Sequence, residues 1–167
     1  RTLEQDMRRA SERMEYEKAA LFRDQIRAIM SVQQRQNIVA KDGDFDVIGL
    51  ARDGGHSAIE IFYVRYGKMI GKENFNIPEE SDADIIAAFI KDFYGTNAGI
   101  IPKSVLVPVL PSEQKLLEAW LSERRGSHVE VVVPERGFKR GLKDMAMENA
   151  AKYMKDKKMQ WIYQDAR

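Results

Sequence analysis

Asp46, Asp53 and Glu60 fall close together in this chain. Carboxylates converging on one or two Mg²⁺ ions are what a phosphodiesterase needs to orient and polarise its substrate. Here Asp46 lies near the start of a strand-like run, Asp53 in a turn, and Glu60 on the polar side of a second run. All three are expected to be solvated turn and strand acids. His56 sits in a glycine-rich turn and His128 at a strand start, too far apart in sequence for any metal-binding spacing. His128 reads as a strand-edge residue. A strand, not a helix, follows Gly54-Gly55, which makes it a hairpin turn and not a phosphate loop. With no nucleophile-base-orienter set visible, no catalytic residue and no metal ligand is expected.

The run PERGFKRGLK, residues 134–143, is the one local patch with binding chemistry. Arg136, Lys139, Arg140 and Lys143 cluster where a helix begins, and free N–H groups there already favour anions. Two glycines give the backbone close access. The patch is expected to hold a DNA phosphate, with affinity falling as salt rises, or to be a solvated basic first turn whose charges mean little. Cations oppose the helix dipole at this end, so the placement mildly disfavours stability. Lys155, Lys157 and Lys158 near the same helix's expected C-terminus need no such explanation.

The elements that position these residues follow from pattern and punctuation. Asp42-Gly43-Asp44 is a turn signal and marks a domain boundary, dividing 1–41 from 42–167. Phe45–Arg52 reads as a strand, Ser57–Arg65 alternates as a second, and Tyr66-Gly67 turns the chain into a third over Lys68–Ile77. A helix over Asp84–Tyr94 closes at Gly95. Ser104–Leu110 is a nearly all-apolar strand, of the kind buried on both faces. Ser112 is expected to cap a helix over Gln114–Arg125 that Gly126 stops. His128–Val133 is a fifth strand and Phe138–Lys158 a last long helix. The fold class is α+β to α/β: a helical hairpin, then βββαβαβα.

The first 41 residues read as two short amphipathic helices. Leu3, Met7, Ala10 and Met14 form one stripe; Tyr16, Ala19, Ala20, Ile26, Ile29 and Met30 form another after a charged bend. A hairpin of about 35 residues is too small to bury its own stripe, so its own domain or a partner should cover it. Two uncovered hairpins are also able to pair with each other at high concentration. The chain of 167 residues holds 27 basic and 26 acidic side chains, a net charge of +1, so no global field pulls it onto nucleic acid. It has no cysteine, which excludes disulfides and thiolate metal sites and fits a cytoplasmic setting. No apolar run approaches a membrane span and no signal peptide is visible. Opening on Arg1 inside a helical pattern, the chain reads as a piece of something longer.

Met14, Glu15, Tyr16, Glu17, Ala19, Ala20, Phe22, Arg23, Asp24 and Ile26 resemble the UVR motif, with Tyr16 for the usual Phe and Phe22 for the usual Leu. That motif occurs in the UvrB and UvrC components of the UvrABC excinuclease and in a few protease-adaptor and chaperone proteins. The resemblance implies that Tyr16 anchors a partner hairpin, that Ala19, Ala20, Phe22 and Ile26 line the contact, and that Arg23 and Asp24 form rim ion pairs.

The order βββαβαβα is that of the RNase H-like fold, whose nucleases place one acid in the middle of the first strand and another at the end of the fourth. Here the middle of the first strand is Ile48-Gly49-Leu50, and the fourth strand has no acid. FDVIGLARDG, FYVRYGKMIGKENFNI, FIKDFYG and PERGFKRGLKDMAMENA, taken in order, resemble the central region of the UvrC family. The resemblance implies nucleotide excision repair, docking onto UvrB's C-terminal hairpin, and DNA as a partner in the full complex. The family's nuclease centres, expected to use Mg or Mn, would lie outside this stretch, which itself needs no cofactor and no membrane. The competing reading is a stand-alone RNase H-like nucleic-acid-binding or nuclease domain with a dimerisation hairpin. A protease adaptor is disfavoured, since those commonly carry cysteine-rich zinc modules.

Overall fold

The computed structural model describes residues 43–78 and 80–165. The expected hairpin contacts at Tyr16, Ala19, Ala20, Phe22, Arg23, Asp24 and Ile26 lie outside the described residues, as does the 41/42 boundary.

Three antiparallel strands, β1 (Phe45–Asp53), β2 (His56–Arg65) and β3 (Lys68–Pro78), open the domain. Helix α1 (Asp82–Thr96) and a 3-10 turn at Ala98–Ile100 lead to β4 (Ser104–Leu106). Helix α2 (Gln114–Arg125), β5 (Glu130–Val132) and α3 (Gly137–Asp165) complete it. The sheet order is β3-β2-β1-β4-β5, with β4 parallel to β1 and β5 parallel to β4. This mixed five-stranded α+β sheet is the expected arrangement.

Alternation along the central strands sends side chains to two faces. Ile48 and Leu50 of β1 and Ile59, Ile61 and Tyr63 of β2 meet α1 and α2 in a core built around stacked and edge-on aromatics. Phe93 lies 5.2 Å from Phe89, 5.9 Å from Phe75 and 5.1 Å from Tyr94 between ring centroids. The opposite face carries Phe45, Val47, Phe62, Val64 and Leu106, covered by Leu142 and Ala146 of α3.

Local chemistry explains where elements differ from expectation. Ser81 caps α1, which begins at Asp82: its hydroxyl accepts from the Asp84 backbone N–H and donates to the Asp84 carboxylate at 2.7 Å. The helix runs through Gly95 and ends at Asn97, whose side-chain amide donates to the Phe93 carbonyl at 2.7 Å. Ser112 does not cap α2. Its hydroxyl donates to Asp84 at 2.6 Å and its backbone N–H to Ala83, so it clips the loop onto the start of α1, and Glu113 begins α2 with a positive φ. The two serine hydrogen bonds, that from Ser112 first, hold the Asp84 carboxyl below its ordinary range. Gly126 stops α2 as expected, with φ 86°.

β4 is three residues long and not seven, since Pro108 has no N–H to donate to a ladder. β5 is likewise short, and His128 lies exposed before it. The outer edge of β5 is completed by α2 side chains: Gln114 donates to the Val131 carbonyl at 3.0 Å and Glu118 accepts from its N–H at 2.8 Å. α3 extends to Asp165, so Lys155, Lys157 and Lys158 do not mark its last turn. Lys158 instead pairs with Asp53 at 3.0 Å.

Candidate functional site

The acids are not the solvated groups that their sequence positions predict. Asp46 has no exposed surface and Glu60 only 2%. Near-continuous apolar strands such as FDVIGL and SAIEIFYV are buried on both sides, so an acid within them enters the interior whichever way it points. Only Asp53 stays at the surface, on Lys158.

Asp46 faces the α1 side and is held there by partners. Arg65 donates to one carboxylate oxygen at 2.9 Å and the Tyr94 hydroxyl to the other at 2.5 Å. The same guanidinium reaches Asp44 at 3.4 Å and the carbonyls of Phe45 and Val64. Arg125, from the end of α2, joins at Asp44 (3.4 Å) and at the Ile101 carbonyl (2.6 Å). Burial works against the Arg65 charge, but Asp46 and Asp44 outweigh it and raise the guanidinium above its ordinary range. This network ties β1, β2, α1 and α2 together at one end of the sheet. Its carboxylates are committed to cations, and losing one partner would leave a buried charge uncompensated. Beside it Gly43 accepts from the Gly67 N–H at 3.0 Å, so closely that a Cβ on Gly43 would meet that nitrogen at 2.1 Å.

Gly49, at the middle of β1, faces α3. A Cβ there would stand 2.2 Å from the Ala146 carbonyl oxygen and 2.7 Å from the Met147 nitrogen. The helix backbone therefore occupies the space that any side chain at this position would need. One residue on, the Leu50 N–H donates to the Met147 sulfur at 3.2 Å. Glu60 is Gly49's partner on β2, and Glu60 in turn pairs with Asn74 on β3. The amides of Asn74 and of Asn149 on α3 hydrogen-bond the Glu60 carboxyl. Burial pushes that carboxyl up to about 7, against smaller opposing effects of Lys72 and the two amides, with Glu73 adding slightly to the rise.

Among the described residues no group of three or more His, Cys, Asp or Glu side chains is placed to hold a metal ion. No described helix is long and apolar enough to cross a membrane.

The four basic residues of the patch are brought together by the loop and first turns of α3, yet they are not equivalent. The Lys139 ammonium lies 5.3 Å from the Phe45 ring centroid. Lys143 pairs with Asp144 at 3.1 Å, and Arg140 approaches the same carboxylate at 3.8 Å and donates to the Glu135 carbonyl at 3.1 Å. Arg136 is exposed in the loop. Sequence reasoning passed over Phe138, which sits among these cations with 67% of its surface exposed. It also passed over Asn74 and Asn149, which carry no signal until the strands and helix are assembled.

Comparison with known proteins covers both parts of the chain. Residues 44–157 match the family described as the UvrC Ribonuclease H-like domain, and residues 1–30 match the UvrB/uvrC motif. Proteins named UvrABC system protein C are similar over most of the chain. That of Syntrophotalea carbinolica is 40% identical over 158 residues, covering 93% of this chain and 26% of that protein. The Clostridium tetani protein is 42% identical over 169 residues, 93% of this chain and 26% of the relative. The Desulforudis audaxviator protein is 44% identical over 156 residues, 90% and 25%. The chain thus spans about a quarter of the length of these relatives.

Proposed function

The chain belongs to the UvrC ribonuclease H-like domain family, and on that premise we propose that it docks UvrC onto UvrB during nucleotide excision repair and scaffolds the excinuclease without itself cutting DNA. The observation that carries the non-catalytic part is the packing of α3 on Gly49. A nuclease of this fold needs an acid in the middle of its first strand, and here the helix backbone takes that acid's space. The remaining buried acids serve other ends: Asp46 neutralises Arg65, and Glu60 is enclosed by amides.

Docking is assigned to residues 1–41, with Tyr16 as anchor, Ala19, Ala20, Phe22 and Ile26 lining the contact, and Arg23 and Asp24 at its rim. The match of residues 1–30 to the UvrB/uvrC motif supports this reading. DNA phosphates are assigned to Arg136, Lys139, Arg140 and Lys143. Their cationic heads are the part of the patch a phosphate needs, and such contacts position a protein without reading sequence.

The test is a titration of the chain against the C-terminal hairpin of UvrB, beside a version beginning at Asp42. Saturable binding by the full chain, lost in the shortened one and weakened by Tyr16→Ala on the scale of a hot spot, about 2 kcal/mol, is the expected result. Equal binding by both versions, or none by the full chain, would overturn the docking assignment.

A further inference from the structure

We propose that Phe138 is a stacking platform for an unpaired nucleotide base, with Arg136 and Arg140 on the adjoining phosphates of a single strand. The proposal rests on the phosphate reading of this patch and goes further by naming the form of nucleic acid that fits it.

A single exposed aromatic is ordinary on a protein surface. What distinguishes Phe138 is its surroundings. The sheet-facing side of α3 is already filled by Leu142 and Ala146, so the ring is not needed for the core. Its neighbours are stripped of side chains: Gly137 precedes it and Gly141 follows one turn later on the same side. A Cβ added at either glycine would find nothing within 4 Å, and the ring itself is 67% exposed, so the start of the helix leaves it accessible to a planar group. Lys139 is drawn towards the sheet, to Phe45, and both arginines of the patch retain exposed surface. Around the ring, residues 135–144 hold four cations against Glu135 and Asp144, an excess of two positive charges.

Charge complementarity selects an anionic partner over an apolar protein surface. A bare ring selects unpaired bases over a duplex, whose bases are stacked inside and leave only phosphates to contact. Every base has a π-face, so the platform should tolerate sequence while discriminating strandedness.

The test uses the whole chain and labelled oligothymidine and duplex DNA, followed by fluorescence anisotropy across a salt series. Phe138→Ala should weaken oligothymidine binding about 5- to 150-fold, the range of one base–aromatic stack, and leave duplex binding and the salt slope unchanged. Phe138→Trp should restore the affinity, its indole emission quenched as the strand binds. Unfolding midpoints matching the unsubstituted chain would show that neither variant perturbs the fold. Unchanged oligothymidine binding by Phe138→Ala would overturn the platform. The phosphate reading would survive that result if Arg136→Gln with Arg140→Gln weakens both probes and flattens the salt slope. No binding of either probe by the unsubstituted chain would overturn both. A concentration-dependent dimer abolished by Phe138→Ala, with no effect on DNA, would make the ring a protein contact and also overturn the platform.

Discussion

The two faces of the sheet are built differently. On one side, among the described residues, α1, α2 and the sheet share a single cluster of twenty buried residues, closed at its end by the Asp46–Arg65–Tyr94 network. On the other, among the described residues, five strand residues meet Leu142 and Ala146 of α3, and the neighbouring floor is a bare glycine beside a buried carboxyl. The first face is constructed as a stability element, with large aromatics and fully paired charge. The second trades side-chain volume for close approach of a helix, and the surface of that helix carries the basic patch. The α3 face is thus a packing surface, built by close approach of the helix backbone to Gly49.

Deletion from the larger core should have the greatest effect. Phe93→Ala, which empties the centre of the aromatic cluster, should cost about 3–5 kcal/mol in denaturant unfolding. A cost under about 1 kcal/mol would show that the two faces are not so unequal. Next comes Gly49→Asp, which restores an acid at the middle of β1. It must displace the α3 backbone and bury a charge, so a loss of about 3 kcal/mol is expected, with no gain of nicking activity. A variant as stable as the parent would mean that α3 yields easily.

The buried carboxyl separates the two faces through pH. Glu60 titrates near 7 in the folded chain against an ordinary value of 4.5. The folded state therefore binds the proton more tightly, and the stabilising effect is complete below about 4.5 and lost as pH rises through 7. Between about pH 5 and 7 the unfolding free energy should fall by about 2 kcal/mol, and Glu60→Gln should remove that slope. The slope persisting in Glu60→Gln would place its origin elsewhere. The smallest effect is at the surface: Lys158→Ala, which breaks the exposed pair with Asp53, should change stability by less than about 1 kcal/mol.

Much of this arrangement is legible in the residues. Three strands punctuated by Gly54-Gly55 and Tyr66-Gly67, followed by alternating helices and strands, carry the topology, because turn chemistry and period are local. Element lengths are less local. Pro108 ends the ladder of β4 inside an apolar run, Ser112 prefers a carboxylate on α1 to the helix that follows it, and Gly95 is carried inside α1 by the Asn97 cap. The candidate site is the least legible part. An acid flanked by Phe and Val, or by two isoleucines, looks like the polar side of a strand until both faces are known to be covered. Nothing in the chain announces that Asn149, on α3, meets Glu60 on β2.

On the proposed reading, α3 packed on Gly49 takes the place that a metal centre would need. An Mn²⁺ titration of the chain, followed by paramagnetic broadening of its backbone amide resonances, probes that substitution at the residues concerned. No saturable broadening centred on Gly49 and Glu60 is expected. Saturable broadening there, with Mg²⁺-dependent nicking of DNA abolished by Glu60→Gln, would contradict the substitution and make this domain a nuclease in its own right.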